Sequence, residues 1–209
     1  MKREKFFSEW SHLHGDAEVK GIVKGWLSIS YSVCSFISKL RITPNGLSYL
    51  SLILAAGFVL LIDSNWAIAL LVLSLAADGL DGTLAIISGR VSKWGAALDA
   101  IADRIVEALW AYGLFMLGAP LEVVVLAWLA AFVQEYMRAR AGGLGFHHIG
   151  VVTAAERPIR ASMIFIVLVA RVLELDLSFG ISIFWAALQT LSAFTVFFTL
   201  RQLLRQSQR

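Results

Sequence analysis

Six long apolar segments constrain the fold of this chain more than any other feature. Each is near the roughly 20 residues that a helix needs to cross the hydrocarbon core of a bilayer. The chain is 58% apolar and 16% charged, whereas soluble domains average about 45–50% and about 25%. We therefore predict an all-α integral membrane protein with six transmembrane helices. The segments cover residues 45–62, 66–88, 94–117, 121–141, 158–173 and 180–200.

The N-terminal residues 1–42 have a different character from these segments. Within them, residues 20–40 are bracketed by lysines and interrupted by serines. This pattern suits an interfacial amphipathic helix better than a seventh span. We predict three parts: an N-terminal cytoplasmic or interfacial helical segment, a six-helix membrane domain over residues 43–201, and a cytoplasmic tail over residues 202–209.

The basic residues indicate the orientation of the chain in the membrane. Those of the loops on one side, with the C-terminal ones, are Lys39, Arg41, Arg90, Lys93, Arg138, Arg140, Arg157, Arg160, Arg201, Arg205 and Arg209. The opposite loops hold Asp63, Glu122, Glu174 and Asp176, with Arg171 as their cation. By the positive-inside rule, both termini face the cytoplasm. We expect a multi-pass protein of the cell membrane.

Two of the apolar segments carry carboxylates, which are costly inside a bilayer. Asp78 and Asp81 are three residues apart, and Asp99 and Asp103 are four apart, so each pair shares one helix face. The short loop 89–93 allows the pairs to face each other near the cytoplasmic side. Four converging carboxylates repel one another unless cations are present, and oxygen ligands suit Mg²⁺ or Mn²⁺. We predict two divalent ions here, placed to polarise a diphosphate.

A longer pattern around these aspartates resembles the signature of the CDP-alcohol phosphotransferases, the class-I CDP-alcohol phosphatidyltransferases. It reads Asp78-x-x-Asp81-Gly82-x-x-Ala85, then Gly95-x-x-x-Asp99-x-x-x-Asp103. The resemblance implies transfer of a substituted phosphate from a CDP-linked donor to an alcohol, with release of CMP. It implies that the four aspartates bind the two metals and that Asp103 is also the general base. It also implies a homodimer.

The signature departs from the family at one position. Where the family has arginine after Ala85, this chain has Ile86. Arg90 lies one turn further along and is expected to take the place of that arginine beside the diphosphate. With Arg90 in that role, the resemblance implies that Gly82, Ala85, Arg90 and Gly95 bind the CDP-linked donor, with Gly82 and Ala85 close to the cytidine. The alternative is a diverged member of the family that binds lipid or nucleotide without turnover.

A second group of basic residues lies between the fourth and fifth segments. The phrases "YMRARA" and "AERPIR" resemble those of the phosphatidylinositol-phosphate synthases, although Gly142 stands where that subfamily usually carries an acid. The resemblance implies CDP-diacylglycerol as donor and inositol 3-phosphate as acceptor, with glycerol 3-phosphate second. Guanidinium forks suit a phosphate, so four arginines are predicted to bind that of the acceptor: Arg138, Arg140, Arg157 and Arg160.

Several other interpretations remain open. The arginines could be ordinary cytoplasmic-loop charge, and the acids could form salt bridges with Arg90, Lys93 and Arg104. The chain could instead be a membrane prenyltransferase with aspartate-rich motifs, or a transporter that uses its acids as a cation path. We expect the lipid bilayer, the donor and the alcohol as partners, and no nucleic acid.

Overall fold

The computed structural model describes residues 1–13, 17–146 and 152–206, and these residues are helical without any β-strand. They form eight α-helices and one short 3₁₀ helix, Ser38–Leu40. The last three residues of the predicted tail, 207–209, lie outside the described part. The helices are α1 (Arg3–Leu13), α2 (Gly21–Ile37), α3 (Pro44–Leu60), α4 (Trp66–Ser88), α5 (Lys93–Met116), α6 (Leu121–Gly143), α7 (Arg157–Val172) and α8 (Ser178–Gln206).

Each of the helices α3 to α8 coincides with one predicted apolar segment. By length and apolarity alone, two helices in the described ranges are able to cross a membrane, namely α4 and α8. A third span results if α2 and α3 are counted as one broken span, which is bent by 105° at the break. The prediction of an all-helical chain is confirmed, while the predicted number of six spans goes beyond this finding.

Several other helices are too short or too charged to count as membrane spans by length and apolarity alone. At about 1.5 Å per residue, the 16 residues of α7 reach about 24 Å, less than the roughly 30 Å of a hydrocarbon core. Helix α6 carries two acids and two arginines. Helix α5 has five charged side chains, which are Lys93, Asp99, Asp103, Arg104 and Glu107.

The bend between α2 and α3 has a local cause. Arg41 adopts a left-handed backbone conformation with φ of 59°, which ends the preceding helical turn. The hydroxyl oxygen of Thr43 then accepts a hydrogen bond from the N–H of Gly46 at 3.1 Å. Pro44 occupies the first position of α3, where its missing N–H costs nothing. Together these residues stop one helix and start the next.

The chain divides into two compact units. The first comprises Met1–Ala56 and Val72–Val106. Two apolar clusters stabilise it. One contains Phe6, Leu27 and Ile86, and the other contains Cys34, Leu47 and Leu84. This unit therefore packs helices α1, α2 and α3 against the C-terminal half of α4.

The second unit comprises Gly57–Leu71 and Glu107–Arg209. Helix α6 packs along α8, and α7 also contacts α8. Two buried glutamines connect α6 and α8, because the side-chain amide of Gln189 donates to the carbonyl oxygen of Gln134 at 2.9 Å. Gln134 in turn donates to Thr153 at 3.3 Å, which attaches the segment before α7 to the same core.

Candidate active site

The first unit brings three of the predicted metal ligands together. Asp78 lies on α4, and Asp99 and Asp103 lie on α5, where their spacing of four residues places them on one face. One carboxylate oxygen of each lies within 4.8 Å of those of the other two, and all three residues are half-buried. Three convergent carboxylates form a donor set of hard oxygen atoms, which fits Mg²⁺ or Mn²⁺.

The fourth aspartate, Asp81, is held differently. Its side chain is 6% exposed, and the hydroxyl of Ser48 on α3 donates a hydrogen bond to it at 2.5 Å. Asp81 lines the same cavity as the other three. Sequence reasoning missed Ser48, because a single serine one turn into an apolar helix belongs to no motif.

A cavity of about 640 Å³ contains all four aspartates. Helices α1 to α5 supply its walls, and the residues assigned above to donor binding also line it. Besides the aspartates, its lining includes Gly82, Ala85, Arg90 and Gly95 from the predicted set, and Trp10, Leu13, Val23, Trp26, Asn45, Ser48, Thr83 and Ile86.

Two glycines of α4 serve different purposes. A Cβ added to Gly82 would meet no atom within 4 Å, so this glycine leaves open space in the cavity for a ligand. A Cβ added to Gly79 would lie 2.9 Å from the ring of Trp26 on α2. Gly79 therefore leaves room for the indole.

Ile86 lies inside the protein, although it stands where the family has an arginine. It is 6% exposed and packs with Phe6 of α1 and Leu27 of α2. Arg90, the predicted substitute, is exposed and lines the cavity just beyond the end of α4.

Arg90, Lys93 and Arg104 were considered as salt-bridge partners of the acids. Of these, Arg104 lies 3.8 Å from Asp103.

The second unit contains the four predicted acceptor arginines, and Arg138 and Arg160 share a network of ion pairs. Arg138 forms a bidentate pair with Glu156, with N–O distances of 2.7 and 3.0 Å. Burial alone would raise the pKa of Glu156, but hydrogen bonds from Arg138 and Thr153 outweigh it and lower that pKa to about 2. The network fixes the segment that leads into α7.

Arg160 is the most enclosed of these arginines, with a side chain 1% exposed. It pairs with Glu107 of α5, with Glu135 of α6 at 3.0 Å, and with the carbonyl oxygen of Ala155 at 2.7 Å. Its guanidinium thus connects three parts of the second unit. The sequence shows these three glutamates (107, 135 and 156) but no periodic pattern that pairs them with particular arginines.

The other two arginines are placed differently. Arg140 is exposed near the C-terminal end of α6. Arg157, at the start of α7, lies with its guanidinium carbon 5.3 Å from the centre of the Trp110 ring, a cation–π contact. The structure therefore places Arg138 and Arg160 in an ion-pair network with glutamates, Arg157 against Trp110, and Arg140 on the surface.

Several known proteins are similar to this chain. Two similar proteins have inositol phosphate in their names. The archaetidylinositol phosphate synthase of Aeropyrum pernix is 32% identical over 136 residues, which cover 63% of this chain and 70% of that protein. The phosphatidylinositol phosphate synthase of Corynebacterium glutamicum is 33% identical over 160 residues, covering 71% and 69%.

Solved structures share the fold. The crystal structure of the phosphatidylinositol phosphate synthase of Mycobacterium tuberculosis with CDP-DAG bound superposes with a TM-score of 0.64 at 21% identity, over 83% of this chain and 94% of that one. A complex of the same synthase with manganese and citrate gives a TM-score of 0.64 at 20% identity, covering 82% and 88%. The sequence profile described as CDP-alcohol phosphatidyltransferase matches residues 41–201, which include the aspartate signature and all six predicted spans. The chain belongs to the CDP-alcohol phosphatidyltransferase family.

Proposed function

We propose that this CDP-alcohol phosphatidyltransferase transfers the phosphatidyl group of CDP-diacylglycerol to an inositol phosphate, with release of CMP. The observation that carries the proposal is the convergence of Asp78, Asp99 and Asp103 in the cavity that also contains the open space at Gly82. The names of the relatives favour inositol phosphate over glycerol 3-phosphate, the second candidate acceptor. The CDP-DAG bound to the mycobacterial synthase supports CDP-diacylglycerol as donor.

The aspartates would hold two divalent cations, Mg²⁺ or Mn²⁺, with Asp81 completing the set. When bound, these ions supply positive charge that polarises the diphosphate and stabilises the departing CMP. Asp103 would accept the proton of the acceptor hydroxyl as that oxygen attacks the phosphorus. Ser48, by its hydrogen bond, holds the Asp81 carboxylate in one orientation.

Donor binding would use the open lining of the same cavity. Gly82 and Ala85 leave space for the cytidine, Gly95 allows close approach at the start of α5, and Arg90 supplies a cation to the diphosphate. The acyl chains would lie between helices in the bilayer. For the acceptor phosphate we retain the four arginines, of which Arg140 is exposed and Arg157 contacts Trp110.

The membrane arrangement is also part of the proposal. Helices α3 to α8 would form the six spans, with α1 and α2 at the cytoplasmic interface. Both termini and the cavity would face the cytoplasm. The distribution of lysine and arginine supports this orientation. A homodimer is included on the family resemblance alone.

CMP release tests the proposal. Purified protein in lipid nanodiscs is supplied with CDP-diacylglycerol, Mg²⁺ or Mn²⁺ and, in turn, inositol 3-phosphate, glycerol 3-phosphate or inositol. We expect metal-dependent release with inositol 3-phosphate, which chelation with EDTA abolishes. Release with glycerol 3-phosphate alone would refute the acceptor. No release with any acceptor, from protein that still binds metal, would mean that the chain binds without turnover.

A further inference from the structure

Helix α1 is fixed to the first unit by one fully buried side chain. Phe6 is 0% exposed and packs against Leu27 and Ile86. Its ring centre lies 5.5 Å from that of Tyr31 on α2, and the Tyr31 hydroxyl donates a hydrogen bond to the carbonyl oxygen of Met1 at 2.7 Å. These contacts determine where α1 lies on α2 and α4.

The same face of α1 reaches the cavity. Trp10 and Leu13 follow Phe6 at helical spacing, so the three side chains share one face. Both Trp10 and Leu13 line the cavity that contains the aspartates. Trp26 of α2 lines it too, and its ring occupies the space that Gly79 leaves free on α4. The helices α1 and α2 thus contribute an aromatic wall, defined here as Trp10 and Trp26.

Ile86 connects the anchor of α1 with the cavity, because it belongs to the Phe6 cluster and also lines the cavity. An arginine at this position would place a charge against the ring of a residue that is fully buried, which is costly without a paired anion. Isoleucine instead allows α1 to pack on α4. In this chain, Ile86 therefore influences the lining of the cavity by holding α1 against α4.

We infer that the aromatic wall contacts the nucleoside of the CDP-linked donor by stacking, and that Ile86 and Phe6 are the positioning residues that hold Trp10 there. The inference rests on the proposed function only for the identity of the donor. An indole ring can stack on any nucleobase, because every base has a flat π-face. The cavity also presents the amide of Asn45. A nucleoside offers hydrogen-bond partners to this amide, whereas an acyl chain would leave it against hydrocarbon.

CMP is the probe, because it carries the nucleoside and a phosphate but no acyl chain. Binding of CMP in the presence of Mn²⁺ is measured by calorimetry, and binding of Mn²⁺ alone by electron paramagnetic resonance. We expect Trp26→Ala and Trp10→Ala each to weaken CMP binding about ten-fold or more, with Mn²⁺ binding unchanged. Trp94→Ala is the matched control, since Trp94 is a 62% exposed tryptophan of the same unit outside the cavity lining.

The anchor is tested by combining variants. If Phe6 acts only through the placement of Trp10, removing both side chains costs no more than removing one. The double variant Phe6→Ala/Trp10→Ala should therefore bind CMP no more weakly than the weaker-binding of the two single variants. Additive losses would overturn the anchoring role. Unchanged CMP affinity in both tryptophan variants, with impaired use of CDP-diacylglycerol, would assign the wall to the acyl chains and overturn the inference. If the wild type binds CMP but forms none from CDP-diacylglycerol with any acceptor, the proposed function fails. The same CMP affinities of the tryptophan variants still test the aromatic wall.

Discussion

At the scale of single residues, Asp103 is the side chain on which the proposed chemistry depends most. Asparagine has nearly the same shape but cannot accept a proton from the acceptor hydroxyl. Loss of a general base costs about 10²–10⁴-fold in rate, so we expect Asp103→Asn to lower CMP release by at least about 100-fold. The measurement is the initial rate of CMP release at saturating donor and acceptor.

The control for this variant is Asp63→Asn, since the Asp63 side chain is 79% exposed and lies outside the aspartate cavity. It should retain wild-type turnover. Thermal unfolding of both variants should show a folded protein. Turnover by Asp103→Asn within ten-fold of wild type would remove the role of Asp103 as base.

The residue scale also shows what sequence spacing can and cannot predict. Helical periodicity predicted that Asp99 and Asp103 share one face, and the short α4–α5 loop predicted that Asp78 faces them. No such rule connects Ser48 with Asp81, or Phe6 with Ile86, since these partners lie on different helices and are distant in sequence. Contacts of this kind depend on how the helices pack.

At the scale of the helices, Arg160 of α7 forms ion pairs with Glu107 of α5 and Glu135 of α6. Its removal withdraws the guanidinium from Glu107, which is 2% exposed. Breaking one partner of a buried ion pair costs about 3–5 kcal/mol, and we expect Arg160→Met to lower the free energy of unfolding by that amount. Equilibrium unfolding in mixed micelles, followed by tryptophan fluorescence, measures the change.

Arg171→Met provides the comparison, because Arg171 is also a helical arginine in an ion pair, with Asp63, but its side chain is 48% exposed. Exposed pairs contribute at most about 1 kcal/mol. Equal losses in the two variants would contradict the special position of Arg160.

The helices themselves were largely predictable. The segment 66–88 coincides with α4, and the other five apolar segments differ from α3 and α5–α8 mainly at their ends. The largest difference is at α8, which continues to Gln206 beyond the predicted end at residue 200. Apolarity detects only the part of a helix that is apolar, and the mostly polar run Arg201–Gln206 continues the same helix. The predicted helical character of residues 1–42 agrees with α1 and α2, although the boundary between these two helices was not predicted.

At the scale of the whole molecule, the orientation in the membrane can be measured. In a Cys34→Ser background, single cysteines replace Val91, in the α4–α5 loop, or Leu175, in the α7–α8 loop. Both residues are 55% exposed, so their intrinsic accessibility is matched. We expect a membrane-impermeant maleimide to label Leu175→Cys on intact cells, and Val91→Cys only after permeabilisation. The opposite pattern would reverse the proposed orientation, and labelling of both sites on intact cells would refute the six-span arrangement.

The number of spans could not be settled by composition, for a physical reason. Helix α5 carries five charged residues, yet Glu107 among them is almost fully buried within the second unit. A charge that faces protein instead of lipid avoids most of the cost of the bilayer. Mean apolarity along the sequence averages over all faces of a helix. It therefore fails to identify a membrane span when the charged face of the helix is turned toward the protein interior.

The packing of Phe6 on Ile86 also determines the order in which the site can be completed. Phe6 precedes α2, α3 and most of α4 in the chain, so the ribosome makes it before Ile86. Until Ile86 is made, Phe6 of α1 has no apolar partner on α4. The cavity around the aspartates is therefore one of the later features of the first unit to form during biosynthesis, and α1, made before the other helices of that unit, is among the last to dock.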